Sequence, residues 1–130
     1  MSARILVLDE DPNMCDLYRA VLESEGYEVM MAHSLPEIPI VRDLQPDLIL
    51  LDYFRGPTPR GWIFLIHLKT YSDTEQIPVV LCTADTATVV EYAHDLATFN
   101  VNVVPKPFSV ADFAAAIRYS CPARRQRSRA

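Results

Sequence analysis

No apolar run in the chain approaches the ~20 residues that a helical bilayer span needs, so a membrane-spanning helix is not expected. The opening stretch, MSARILVLDED, meets acid within nine residues and does not read as a signal peptide. Cysteine is scarce and odd in number. Cys15, Cys82 and Cys121 lie far apart and form no CxxC pair, which excludes a disulfide framework or a zinc knuckle. They read as reduced thiols in a cytoplasm, buried as small hydrophobes. His33, His67 and His94 show no ligand spacing and read as surface or helix-face residues. There is no internal repeat, no second core and no internal linker, so one domain is expected.

What is present is ordinary for a soluble globular chain of 130 residues, half of them apolar and 22% charged. The formal charge of −5 is unevenly spread. Arg124, Arg125, Arg127 and Arg129 crowd the last seven positions, and residues 1–123 carry 8 basic against 17 acidic side chains, a net of −9. A body that acidic disfavours direct nucleic-acid binding. The expected division is a domain over 1–120 and a basic, disordered tail or linker start over 121–130.

Along the chain, short apolar runs alternate with helical patterns. Ile5-Leu6-Val7-Leu8 reads as a strand covered on both faces, ending in Asp9-Glu10-Asp11-Pro12. Asp11 suits a helix N-cap and Pro12 a first helical position. Met14, Leu17, Tyr18, Val21 and Leu22 then form one apolar face, and Gly26 stops the helix. Tyr27 to Ala32 reads as a second strand. A second helix is expected from Ser34 to about Leu44, with Pro39 shortening or distorting it. Leu48 to Leu51 forms a third strand that stops at Asp52. A turn-rich loop leads to a helix over Trp62–Lys69, where Trp62, Phe64 and Leu65 pack on the sheet. Ile77–Cys82 is the fourth strand, Thr86–Leu96 one continuous fourth helix, and Val101–Val104 the fifth strand. Ser109 to Asp112 opens a last helix in the manner of a capping box, running to about Tyr119.

Five strands alternating with five helices predict a doubly wound α/β fold on a parallel sheet. Sites in such sheets form at the carboxyl ends of strands. Those ends carry Asp9, Glu10 and Asp11, then Asp52, then Thr83, then Lys106. Any one of them alone could be a cap or a solvated loop end; together they point to chemistry. Two carboxylates at ~5 Å repel by roughly 3 kcal/mol at an effective dielectric of ~20. A hard divalent cation with oxygen ligands offsets that repulsion.

The segments ILVLDEDP, PDLILLD, VVLCTAD and VVPKPF, in that order and spacing, resemble the receiver domain of two-component response regulators over about residues 3–120. The resemblance implies a flavodoxin-like (βα)5 sandwich and Mg²⁺-dependent phosphoryl transfer from a histidine to an aspartate. It makes Asp52 the phosphoacceptor. Asp9 and Glu10 hold the metal, with Asp52 and the Phe54 carbonyl. Thr83 contacts the phosphoryl group and Lys106 pairs with it, and the Lys106–Pro107 bond is cis. The implied donor is a sensor histidine kinase or histidine phosphotransfer protein. The implied receiver of the signal is a downstream target protein or an output domain, in the cytoplasm, and the chain could form a homodimer. It would be a regulatory domain rather than an enzyme.

Four departures from the family pattern carry their own expectations. Glu10 stands where a second aspartate is common. Val103 stands where an aromatic relays the switch, so output travels differently. The loop after Asp52 is one residue longer and rich in proline. Phe54 is bulky enough to shield an acyl phosphate from water, so slow autodephosphorylation is expected. The switched surface is sought at Val90, Tyr92, Val103 and Phe113, and Tyr71 with Tyr92 could join a partner surface. Two alternatives remain. One is a receiver-like interaction module that is never phosphorylated. The other is a haloacid-dehalogenase-type phosphatase, with Asp9 as nucleophile and Asp11 as general acid in Leu8-Asp9-Glu10-Asp11.

Overall fold

A computed structural model describes residues 2–52 and 60–121, the side chains of Thr86 and Thr88 excepted. Strands β1 (Arg4–Asp9), β2 (Glu28–Ala32), β3 (Leu48–Asp52), β4 (Val79–Thr83) and β5 (Val101–Pro105) form one parallel sheet in the order β2-β1-β3-β4-β5. The order reverses between β1 and β3, which opens a crevice at their carboxyl ends.

The pleat divides the core in two. Ile5, Val7, Leu48, Leu50, Val80 and Cys82 point to one face, under α1 (Pro12–Ser24) and α6 (Val110–Ser120). Leu6, Leu8, Ile49, Leu51, Val79 and Leu81 point to the other. That face is covered by α2 (Ile38–Leu44), α3 (Arg60–Thr70), α4 (Thr86–Glu91) and α5 (Ala93–Thr98). Burial on both faces explains why the strands read as continuous apolar runs. Each fully buried aliphatic side chain contributes about 1.5–3 kcal/mol. Among the described residues no helix is long and apolar enough to cross a membrane.

Helix α1 forms as its sequence dictates. Asp11 accepts the Asn13 amide at 3.0 Å, Pro12 occupies the first turn, and Gly26 leaves the helix at φ 88°. Leu17 is 40% exposed, however, so the buried stripe is Cys15, Tyr18 and Leu22.

Helix α2 starts at Ile38 rather than Ser34. Pro39 lacks an N–H and would clash with the preceding turn inside a longer helix. In the first turn neither defect matters, so the proline sets the start. The expected Thr86–Leu96 helix is two, making six helices among the described residues rather than five. Tyr92, at φ −106° and ψ 18°, interrupts it and packs against Trp62, the rings tilted by 34° with centroids 4.5 Å apart. The β-branched run Thr86, Thr88, Val89, Val90 holds a helix weakly, so a tertiary contact overrides it. Strand β4 begins after Pro78, whose carbonyl accepts the Ile49 amide at 3.0 Å but which has no donor to return.

Cys15, Cys82 and Cys121 are all buried, and no disulfide joins them. Cys121 caps α6 and packs in the core; residues 122–130 of the expected tail lie outside the described residues.

Candidate functional site

The carboxyl edge of the sheet gathers four of the residues marked by the sequence. Asp9 and Asp52 end adjacent strands and are register partners, both buried. Thr83 ends β4 opposite Pro105, and the Thr83 carbonyl accepts the Lys106 amide at 2.9 Å, fixing where the lysine leaves β5. The Lys106–Pro107 peptide is cis. From there the Lys106 ammonium reaches back to Asp52 Oδ1 at 2.7 Å.

The Asp52 carboxylate has a second donor. The Tyr18 hydroxyl, from α1, donates to Oδ2 at 2.5 Å. Burial, together with the neighbouring Asp52 charge, pushes the phenol far above its ordinary pKa, so it stays a donor. Burial also pushes the Cys82 thiol, beside the phenol, up to about 12.

Asp9 contrasts with its neighbour. Its Oδ1 accepts the Asp11 amide at 3.1 Å, while its Oδ2 is buried with no hydrogen-bond partner among the described residues. Burial first, and the negative charge of Asp52 next, raise its pKa to about 6, against the lowering effect of the Asp11 amide and Lys106. A buried oxygen with bare lone pairs beside a second carboxylate is where a hard cation is welcome. The Asp9 carbonyl takes contacts at 3.3 Å from both the Cys15 thiol and His33 Nδ1, a setting that helical and strand spacing did not reveal.

Thr83 is buried, and its Oγ1 accepts the Asp85 amide at 3.0 Å. Accepting that bond does not use its own proton. Glu10 is exposed rather than folded in with the other acids. Among the described residues no three His, Cys, Asp or Glu side chains converge as a metal cage. Asp11 caps α1. Phe54, with its carbonyl, lies outside the described residues, as does the rest of 53–59.

On the surface sought for signal output, Val90 is 76% exposed, Tyr92 and Val103 are half-buried, and Tyr71 is exposed. Phe113 does not belong there. It is a core residue, 1% exposed, with its ring 5.2 Å from Tyr18 and 5.4 Å from Phe108.

The residue sequence reasoning missed is Tyr18, placed on an apolar helix face without asking where its hydroxyl would go. A tyrosine among aliphatics on a buried stripe is itself the signal, since a buried phenol finds a polar partner.

Comparison with known proteins places this geometry in context. The family model for the response regulator receiver domain matches residues 5–118. Over 119 residues the chain is 33% identical to the DNA-binding response regulator MtrA of Mycolicibacterium smegmatis, covering 91% of this chain and 50% of that protein. It is equally 33% identical to the phosphate regulon transcriptional regulatory protein PhoB of Escherichia coli, again over 91% of this chain and 51% of PhoB. The chain thus spans about half the length of the curated relatives it matches. Among solved structures, the Vibrio cholerae chemotaxis protein CheY4 superposes with a TM-score of 0.77 at 19% identity, over 92% of this chain and 99% of that one. That likeness speaks to the fold. The N-terminal domain of a response regulator receiver protein from Methanoculleus marisnigri is 31% identical, with a TM-score of 0.64 over 89% of this chain and 94% of the other.

Proposed function

The chain belongs to the response regulator receiver domain family, and from that premise we propose that it is a phosphorylation-dependent switch whose acceptor is Asp52. Phosphorylation-dependent switching is what such domains generally do, and they are regulatory rather than classical enzymes. The observation that carries the reading for this chain is the buried Asp52 carboxylate, ion-paired to Lys106 and set beside Asp9 in register.

An Asp52 oxygen attacks the phosphorus of a phosphohistidine on a partner kinase or phosphotransfer protein. The new O–P bond forms as the P–N bond breaks, and the imidazole leaves with the electron pair. Lys106 offsets charge on the transferring oxygens, and such positioning and electrostatics are most of the catalysis in this chemistry. Receiver domains of this family generally bind Mg²⁺ at the acidic pocket. Here Asp9, through its bare Oδ2, and Asp52 fit a metal that keeps several waters, and the exposed Glu10 could contribute at the rim. When bound, the ion supplies charge neutralisation among carboxylates and phosphoryl oxygens. The phosphoryl group adds about −1.5 to −2 charge and strong acceptors beside Thr83, whose hydroxyl proton is available to turn toward them. That movement pulls Ala84 and Asp85 and shifts α4, where Val90 is 76% exposed. A target protein, or an output domain as in relatives twice this length, reads the change, and the setting is cytoplasmic.

One observation favours a second reading. Both Asp52 oxygens are already bonded and Glu10 faces outward, as a never-phosphorylated interaction module would tolerate. The phosphatase reading is set aside, because the family is that of receivers and Asp11 serves as the α1 cap.

Intact-mass measurement after incubation with acetyl phosphate and Mg²⁺ separates the remaining two. One added phosphoryl group, dependent on Mg²⁺ and absent from Asp52→Asn, is the expected outcome. No uptake with acetyl phosphate or with phosphohistidine donors would leave the interaction module.

A further inference from the structure

Asp52 is gripped from two sides by groups of different mobility. Tyr18 is fully buried, its ring packed against Phe113 at 5.2 Å and Phe108 at 6.4 Å. A ring locked in a close-packed core moves only if its neighbours repack. Lys106 is 27% exposed and carries its charge on a four-carbon stem with three rotatable donors. The anchor on Oδ2 is therefore stiff, and the anchor on Oδ1 can yield.

Resting on the phosphoacceptor reading above, we infer that Tyr18 is a positioning residue: its phenol holds Asp52 Oδ2 and leaves Oδ1 as the oxygen that attacks phosphorus. A free carboxylate has two equivalent oxygens and rotates about its Cβ–Cγ bond. Here the hydrogen bond at 2.5 Å removes that equivalence. With acetyl phosphate, Oδ1 forms the O–P bond as the P–O bond to acetate breaks, and acetate leaves with the electron pair. The Tyr18 proton stays on the phenol. Oδ2 becomes the carbonyl oxygen of the acyl phosphate and keeps its donor, while Lys106 follows the phosphoryl group. The plainer account is that a buried phenol needs an acceptor and Asp52 is the nearest one. The two accounts differ in what loss of the hydroxyl does to rate rather than to stability.

The test uses the intact chain and Tyr18→Phe, which keeps the ring and removes only the hydroxyl. Phosphoryl uptake is followed by intact mass over a range of acetyl phosphate at saturating Mg²⁺. The expected result is a roughly tenfold lower rate at saturating donor, about 1.4 kcal/mol of barrier. The half-saturating donor concentration should stay within about twofold and the melting temperature within about 4–8 °C. Leu68→Ala, in the core on the opposite face of the sheet and away from the Tyr18 ring cluster, should lower the melting temperature and keep the rate. A readout free of metal and donor is the Tyr18 hydroxyl proton by NMR. It should be low-field and slowly exchanging, shifted in Asp52→Asn and absent in Tyr18→Phe. A Tyr18→Phe rate equal to wild type, an equal slowing in Leu68→Ala, or no such proton overturns the inference alone. Wild-type protein that takes up no phosphoryl group overturns the phosphoacceptor reading and this inference together.

Discussion

The two ends of the sheet treat their polar groups in opposite ways. At the amino ends, side chains are spent on the backbone. Asp47 accepts the Arg4 amide at 2.7 Å, buried Thr74 donates to the Leu68 carbonyl at 2.6 Å, and Lys69 donates to the carbonyls of Ile77 and Glu75 at 2.5 and 2.9 Å. At the carboxyl ends, charge faces charge. Asp52 is held by Lys106 and Tyr18, and Asp9 keeps one buried oxygen bare. One end closes loops and holds the strands in place. The other holds a pair of carboxylates in tension that an incoming cation would relieve.

The largest test of that contrast removes the cation of the carboxyl end. Lys106→Met keeps the stem and deletes the charge, leaving Asp52 and Asp9 facing each other. Uptake from acetyl phosphate should fall by about 10²–10³, the cost of losing a preorganised charge at a transition state. A time course by intact mass reads it, and a rate within threefold of wild type would remove Lys106 from the chemistry.

Asp9→Asn should move stability the other way. The native pKa of Asp9, about 6, lies above its ordinary 3.8, so the folded state binds its proton more tightly. Between those values the native state holds more protons than the unfolded one, and stability falls as pH rises through the window. Above it the penalty is complete. Asparagine carries no such penalty, so at pH 7 the variant should be more stable by about 1–3 kcal/mol. Its denaturation midpoint should be flatter than wild type between pH 4 and 6. Wild type should gain stability on adding Mg²⁺, as any ligand of the native state confers. The variant should not. A destabilised Asp9→Asn would mean the acid is part of the scaffold.

How much of this was legible without coordinates depended on range. Strands such as Leu48–Asp52, buried on both faces, announced themselves as apolar runs, and Asp9, Asp52, Thr83 and Lys106 stood out because each follows such a run. Their convergence needs only the rule that parallel strands share an end. What stayed hidden was set by contacts between distant segments. Tyr18 meets Asp52 across 34 positions, and Trp62 meets Tyr92 where helical periodicity predicted no break. Phe113 is expected at the switched surface from the family resemblance, whereas the Tyr18 and Phe108 rings draw it into the core. The start of α2 is set locally: Pro39 fits the first turn, where its missing N–H costs nothing, and not the interior that a start at Ser34 would give it.

The smallest expected effect lies at the amino end. Burial lowers the Lys69 pKa from 10.5 to about 8, partly opposed by the charge of Glu75. Between about 8 and 10.5 the unfolded chain holds a proton that the native state has released, so stability rises with pH across that window and is lost as pH falls through 8. Lys69→Met should abolish this slope in denaturation midpoints measured from pH 7.5 to 10. At pH 7 it exchanges two hydrogen bonds for relief from a buried charge, two opposed effects that should net within about 1 kcal/mol. Phosphoryl uptake should stay within twofold, because nothing at this end touches Asp52. If uptake falls with Lys69→Met, the amino end is coupled to the site, and the separation between a scaffolding end and a reactive end fails.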